Sequence, residues 1–133
     1  MEEYQNEKGQ LHRVDGPAIY DLASGKQEWY IDGNRHRVDG PAIYDPASGK
    51  QEWYIDGKRH RVEGPAIYDP ASGKQEWYID GKRHRVEGPA IIKGDGSYCY
   101  YNYGRLHRAD GPAIGRSNGS EEWWFGGQLC GAR

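Results

Sequence analysis

Apolar and polar side chains along the chain follow a short pattern that is typical of β-hairpins. The run at residues 51–55, QEWYI, is rich in aromatic and β-branched residues, which indicates a strand. The dipeptide Asp56-Gly57 follows directly, and both residues tolerate the positive φ angles of a two-residue hairpin turn. We therefore expect residues 59–62, RHRV, to form the returning strand.

The pattern is then interrupted and resumed. Proline cannot donate a hydrogen bond to a strand ladder, so Gly64-Pro65 predicts a bend or a bulge. Residues 66–68, AIY, resume an extended structure, and residues 70–73, PASG, turn the chain into the next Trp-containing strand. No 11-residue window has a helical period, so the sequence predicts an all-β fold.

The whole pattern recurs with a fixed period. The phrase HRVEGPAIY at residues 60–68 has counterparts that begin at His12, His36, His84 and His107, and successive copies are 24, 24, 24 and 23 residues apart. A fixed period of this size indicates a repeat array. We interpret residues 1–133 as a single repeat domain with an N-terminal cap at 1–11, repeats at 12–35, 36–59, 60–83, 84–106 and 107–130, and a tail at 131–133. The near-identity of the units fits either tandem duplication or a consensus design.

Tandem hairpins of about 24 residues predict a single-layer, twisted antiparallel meander sheet with about two strands per unit. A closed up-and-down barrel is the alternative, since closure leaves no open edges. Two neighbouring positions form ladders along this sheet, and adjacent strand residues point to opposite faces. We expect one face to be a structural ladder of Trp29, Trp53 and Trp77 with His36, His60 and His84. We expect the other to be an interaction face of Tyr30, Tyr54, Tyr78, Tyr101 and Trp124 with Arg37, Arg61 and Arg85.

Composition and charge restrict the classes of function. The chain is 13% aromatic with a net charge of −2, which argues against disorder and against a dedicated nucleic-acid binder. No apolar run approaches the length of a transmembrane helix, and the acidic start is unlike a signal peptide. We expect a cytoplasmic protein with free thiols at Cys99 and Cys130, and neither a membrane nor a nucleic acid as its partner.

The recurring polar residues predict structure rather than chemistry. Equivalent histidines would lie about 9.5 Å apart, too far to share a metal ion that needs ligands at about 2 Å. We therefore expect no metal site, and a histidine that hydrogen-bonds in a turn or stacks on an aromatic ring. The row of Arg13, Arg37, Arg61, Arg85 and Arg108 is followed two residues later by an acidic row, and we expect the two rows to neutralise each other. Every polar group recurs in each unit, whereas active sites are singular, so we expect no enzyme and no cofactor.

Residues 76–84, EWYIDGKRH, resemble a MORN repeat in the Trp, the Asp-Gly-Lys turn, the following His and the repeat length near 23 residues. The resemblance covers about residues 4–130 and is closest to MORN-like variants of bacterial, phage and large-virus proteins with an HR-x-D-G-P-A signature. MORN repeats have His-Gly where this chain has His60-Arg61, and Gly where it has Gly64-Pro65. The resemblance implies a single-layer sheet of hairpins, protein–protein contact, dimerisation, sometimes membrane-surface association, and no catalysis.

The sequence therefore favours a non-enzymatic repeat scaffold that mediates a protein–protein interaction. The resemblance adds an inhibitor or immunity-type binder as a subtype, acting in the host cytoplasm if the protein is viral. A structural homo-oligomer such as a homodimer is one alternative, and a nucleotide- or nucleic-acid-binding protein is another. The partner protein is not identified by the sequence.

Overall fold

The structure, a computed structural model, describes all 133 residues and consists of short strands without a helix. None of its elements is therefore a helix that could span a membrane. The strands are β1 (Glu2–Glu3), β2 (Ile19–Tyr20), β3 (Gln27–Glu28), β4 (Tyr30–Ile31), β5 (Asn34–Arg35), β6 (Ile43–Asp45), β7 (Lys50–Glu52), β8 (Tyr54–Ile55), β9 (Lys58–Arg59), β10 (Ile67–Asp69), β11 (Lys74–Glu76), β12 (Tyr78–Ile79), β13 (Lys82–Arg83), β14 (Ile91–Ile92), β15 (Tyr98–Cys99), β16 (Tyr101–Asn102), β17 (Arg105–Leu106), β18 (Ile114–Gly115), β19 (Glu121–Phe125) and β20 (Gln128–Ala132).

Twelve of the strands form one antiparallel sheet, in the order β1-β2-β3-β6-β7-β10-β11-β14-β15-β18-β19-β20. Spatial order follows sequence order throughout, so the sheet is a meander. Strands β1 and β20 each have a neighbour on one side only, and the sheet is open. The predicted all-β meander is confirmed, and the closed-barrel alternative is wrong because the two end strands do not pair.

The other eight strands form four small hairpins, β4-β5, β8-β9, β12-β13 and β16-β17. A typical unit thus contributes two strands to the main sheet, as predicted, and adds a second hairpin beside it. The turn of β8-β9 has φ angles of 49° at Asp56 and 79° at Gly57. Two positive φ angles define the type I′ turn that this dipeptide predicts.

The strand predicted at residues 51–55 is broken at Trp53. Strand β7 ends at Glu52 and β8 begins at Tyr54. The Trp53 N–H donates to the carbonyl of Ala66 at 2.7 Å, and the Trp53 carbonyl accepts from the N–H of His60 at 3.1 Å. Because its two backbone groups bond in different directions, Trp53 is the point where the chain passes from the main sheet into the small hairpin.

The return strand predicted at residues 59–62 is wrong beyond Arg59, where β9 ends. The N–H of Arg61 donates to the carbonyl of Tyr78 in the next unit at 3.1 Å. A residue that bonds to the following hairpin cannot continue the ladder of its own. The predicted interruption is confirmed as a bend at residues 62–64, and the predicted extended segment and turn are confirmed as β10 and a turn at residues 70–73.

The core is thin and built mainly from small side chains. Ala42 and Ala66 are fully buried, and Tyr54 and Tyr78 are each 5% exposed. Each tyrosine packs with an alanine and an isoleucine, and a partly buried tryptophan of the preceding hairpin covers the cluster. The buried apolar residues are Ala18, Ala42, Ile43, Tyr54, Ala66, Ile67, Tyr78, Ala90, Ile91 and Ala113.

Candidate functional site

The tyrosine ladder lies in a hydrogen-bonded network. The Tyr78 hydroxyl donates to Glu76 Oε1 at 2.8 Å and accepts from Arg83 Nε and Arg59 Nη1, both at 3.3 Å. Lys74 Nζ lies 3.0 Å from Glu76 Oε2. Burial raises the pKa of Glu76, but the hydrogen bonds from Lys74 and Tyr78 and the nearby positive charges outweigh it, so the net pKa is lowered.

This network corrects the predicted interaction face. Tyr54 repeats it by donating to Glu52 at 2.9 Å and accepting from Arg35 at 3.4 Å. The prediction that Tyr54 and Tyr78 are exposed is wrong, because their rings fill the core, while each hydroxyl hydrogen-bonds to the glutamate two residues earlier. The equivalent residues of the other units are partly buried; they are Tyr30, Tyr101 and Trp124.

The arginine of each repeated motif is turned beneath its own loop. Arg61 Cζ lies 3.9 Å from the centre of the Trp53 ring, and Arg61 Nη1 donates to the Pro65 carbonyl at 3.2 Å. Gly64 closes the other side, where a Cβ would lie 2.9 Å from Arg61 Cζ. Burial under this loop lowers the pKa of Arg61. The equivalent stacks are Arg13 on Tyr4, Arg37 on Trp29, Arg85 on Trp77 and Arg108 on Tyr100.

The histidine of each motif joins one unit to the next. His60 Nδ1 accepts the backbone N–H of Asp80 at 3.0 Å, so the ring proton of the neutral side chain is on Nε2. His36 does the same for Asp56 at 3.0 Å. His84 accepts from the N–H of Tyr103 at 3.0 Å and stacks on its ring, with centroids 3.8 Å apart. This is the structural role in a turn that the sequence predicts. The structure contains no group of three or more His, Cys, Asp or Glu side chains that could hold a metal ion.

The valine of the motif has no comparable role, and sequence reasoning did not single it out. His60, Arg61, Gly64 and Pro65 each make an identifiable contact within the array, whereas Val62 is 77% exposed. The signal was available, since an apolar residue recurs in a loop that otherwise consists of polar residues and turn formers. The same residue in the other units forms what we call the valine row; its members are Val14, Val38, Val62 and Val86, exposed by 78%, 77%, 77% and 85%.

Three open clefts lie between successive motifs along the valine row. The first, of about 490 Å³, has Val38, Trp53, Ile55 and Val62 in its walls. The second, of about 570 Å³, repeats this lining one unit later with Val62, Trp77, Ile79 and Val86. The third, of about 560 Å³, lies between Val86 and Ala109 and is lined by Tyr100, Tyr101 and Tyr103. Consecutive clefts share lining residues and so lie in a row, which we call the groove, and the stacked arginines Arg37, Arg61 and Arg85 lie in its sides.

The rim of the groove is acidic. Asp39 is 85% exposed and pairs with the inner Nε of Arg37 at 3.2 Å. The longer Glu63 and Glu87 are exposed and make no ion pair within 4.0 Å. The expected ion pairs between the two charged rows are therefore confirmed for the aspartates and absent at these two glutamates, although Glu63 lies close enough to Arg61 for its charge to act on the pKa of that arginine. Both of these carboxylates face solvent.

Comparison of the chain with protein-family models, with curated proteins and with solved structures finds no match. The resemblance to MORN-like repeats therefore stays a prediction, and function is inferred from the geometry of the groove.

Proposed function

We propose that the protein is a non-enzymatic, MORN-like repeat scaffold of the cytoplasm that binds a protein partner along the valine row and its clefts. The observation that carries this proposal is the valine row itself. An apolar side chain recurs at one loop position in four units, at 77–85% exposure, while the histidine, arginine, glycine and proline of the motif serve the fold. Single exposed apolar residues are ordinary, but a contiguous apolar surface with a polar rim is typical of an interaction site.

The energetics favour an interface that uses several units at once. Burying one exposed valine contributes about 1.5 kcal/mol or more, which is too little for a stable complex of two proteins. Three clefts in a row multiply this contribution, and their walls contain Trp, Tyr and Arg, the residues that dominate interface energetics. Several weak contacts in a row thus add up to a surface that binds an elongated partner.

The test is affinity capture from lysate of the source cells with paired variants. Val62→Asp combined with Val86→Asp places charge in all three clefts, and both positions are exposed, so the fold is expected to persist. Leu22→Asp is the matched control, because Leu22 is 66% exposed and lies outside the clefts. We expect one protein at stoichiometric level with the wild type and the control, and none with the double variant. Equal recovery with all three baits would show that the groove is not the binding surface.

Self-association is a second candidate, and it is supported by β20. This edge strand has five residues and one free side, and Leu129 is 55% exposed on it. An exposed edge with an apolar side chain is a template for pairing with another strand. Cys130, a free and exposed thiol, lies on the same strand. Two copies related by a two-fold axis would join their sheets through antiparallel β20 strands.

Light scattering across a concentration series tests this second candidate. A dimer that is lost on Leu129→Lys, which places a charge on the edge, supports pairing through β20. Cys130→Ser should leave the dimer intact under reducing conditions. A strict monomer at millimolar concentration would remove the self-association candidate without affecting the groove.

A further inference from the structure

The spacing of the clefts restricts the conformation of what they bind. Each unit adds two strands to the main sheet, and neighbouring strands are about 4.8 Å apart, so equivalent clefts repeat about every 9.6 Å. A polyproline II helix has three residues per turn and a rise of about 3.1 Å, so one of its faces repeats every 9.3 Å. In an extended strand, side chains on one face repeat about every 6.6–6.8 Å, and one turn of an α-helix rises about 5.4 Å. Neither distance matches the spacing of the clefts. Only the polyproline II repeat stays in register with successive clefts.

The chemistry of the groove restricts the composition of the occupant. The walls of the first two clefts contain indole and isoleucine side chains, and two valines line each of them as well. Aromatic-lined grooves are a general means of binding polyproline II segments, which lose little conformational entropy on binding. The rim carries the unpaired carboxylates of Glu63 and Glu87, while Arg61 and Arg85 are held on tryptophan rings at 3.9 Å. Basic side chains on the partner would complement this rim.

We propose that the occupant of the groove is a basic, proline-rich segment in the polyproline II conformation, which places one apolar side chain in each cleft at every third residue. This inference rests on the proposed protein-binding function and specifies the partner's chemistry. Three consecutive clefts correspond to two intervals of three residues each, so about seven residues reach from the first anchored side chain to the third.

The experiment uses fluorescence anisotropy with labelled 12-residue peptides and the full-length protein. The probe has four copies of Leu-Pro-Arg. One control peptide has the same composition with its leucines adjacent, and a second, with repeats of Leu-Pro-Arg-Pro, moves the leucines to every fourth residue. We expect the probe to bind at least tenfold more tightly than either control. The double variant Val62→Asp with Val86→Asp should bind the probe at least tenfold more weakly, and Leu22→Asp should bind it with unchanged affinity.

A charge exchange tests the acidic rim separately. The double variant Glu63→Lys with Glu87→Lys should bind the Leu-Pro-Arg probe at least tenfold more weakly and should gain binding to a Leu-Pro-Glu peptide. Equal affinity for the three- and four-residue spacings would overturn the register argument. If no peptide binds while capture of a cellular protein still depends on Val62 and Val86, the polyproline proposal is wrong and the binding function stands. If neither assay responds to the two valines, both proposals fall.

Discussion

The contact between Gly64 and Arg61 predicts that Gly64→Ala lowers the stability of the protein when the Arg61 side chain is present and does not lower it when that side chain is removed. Gly64 does not have a positive φ, so alanine is compatible with its backbone. A Cβ at this position would nevertheless lie 2.9 Å from Arg61 Cζ and 3.0 Å from Nη1. Gly64→Ala should therefore displace the guanidinium from its place between the glycine and the Trp53 ring.

The expected cost follows from the two interactions that the guanidinium would lose. A cation–π contact is worth about 0.5–2 kcal/mol, and the hydrogen bond from Arg61 to Pro65, at 3.2 Å, about 1.5–3 kcal/mol because its donor is charged. Replacing glycine with alanine restores about 0.4–1 kcal/mol by restricting the unfolded chain. Since displaced Arg61 can hydrogen-bond to water, we expect a net destabilisation of about 1–3 kcal/mol.

Urea unfolding, followed by both tryptophan fluorescence and circular dichroism, measures this cost, and coincident transitions establish that a two-state free energy applies to the array. The decisive comparison is a double-mutant cycle. In an Arg61→Ala background the three atoms closest to the added methyl are gone, so Gly64→Ala should become neutral or stabilising by up to about 1 kcal/mol. Gly131→Ala is the matched control, because no heavy atom lies within 4 Å of its Cβ position and its φ is not positive.

Two results would refute this reasoning. If Gly64→Ala costs the same with and without the Arg61 side chain, the glycine is needed for a backbone reason rather than for the guanidinium. If Gly64→Ala is as harmless as Gly131→Ala in the wild-type background, the stacked arrangement contributes nothing measurable to stability.

Three further predictions concern other contacts of the array. His60→Ala should lower the free energy of unfolding by about 1–3 kcal/mol and speed hydrogen exchange of the Asp80 amide. His60→Asn keeps an acceptor, so both effects should be smaller. Unchanged exchange at Asp80 would contradict the 3.0 Å hydrogen bond. Because the pKa of Glu76 is lowered in the folded protein, its contribution is fully present above the ordinary value of about 4.3 and is lost as pH falls through the lower folded pKa. Acid titrations of stability should therefore be shallower for Glu76→Gln, and identical slopes would refute this. Gly115→Ala should cost about 1–3 kcal/mol in thermal or urea unfolding, since its Cβ would overlap the Tyr98 ring; a neutral result would show that the ring has room to move.

The sequence predicts the fold largely because the fold is local and repeated. The Asp56-Gly57 turn, the interruption at Gly64-Pro65 and the 24-residue period depend on backbone chemistry that short segments specify. The break at Trp53 was missed because it depends on the carbonyl of Ala66 in the following unit. Periodicity within one strand carries no information about a partner that lies beyond the next turn.

The candidate site was predicted less well, because strand alternation assigns residues to faces without saying which face is covered. Tyr54 was placed outside on that basis, yet its ring packs against Ala42 and Ile43 and its hydroxyl hydrogen-bonds to Glu52. Arg61 was taken as a surface charge, and its position against Trp53 is a contact that a linear pattern does not reveal. Val62 was not singled out because its role depends on how the histidine and arginine beside it are turned into the array.

The near-identity of the units has a consequence for how the array assembles. Strand β3 meets β6 through Glu28 and Ile43, and β7 meets β10 through Glu52 and Ile67, so the two junctions consist of the same residue pair. A folding chain can therefore join β3 to β10 and leave a whole unit looped out, and closing such a loop costs only about 3 kcal/mol. The fourth and fifth units differ from the others at the shortened loop and at the pairing of Tyr98 with Gly115, so their junctions are not interchangeable in this way. We therefore expect skipped-unit misfolding to be confined to the near-identical units.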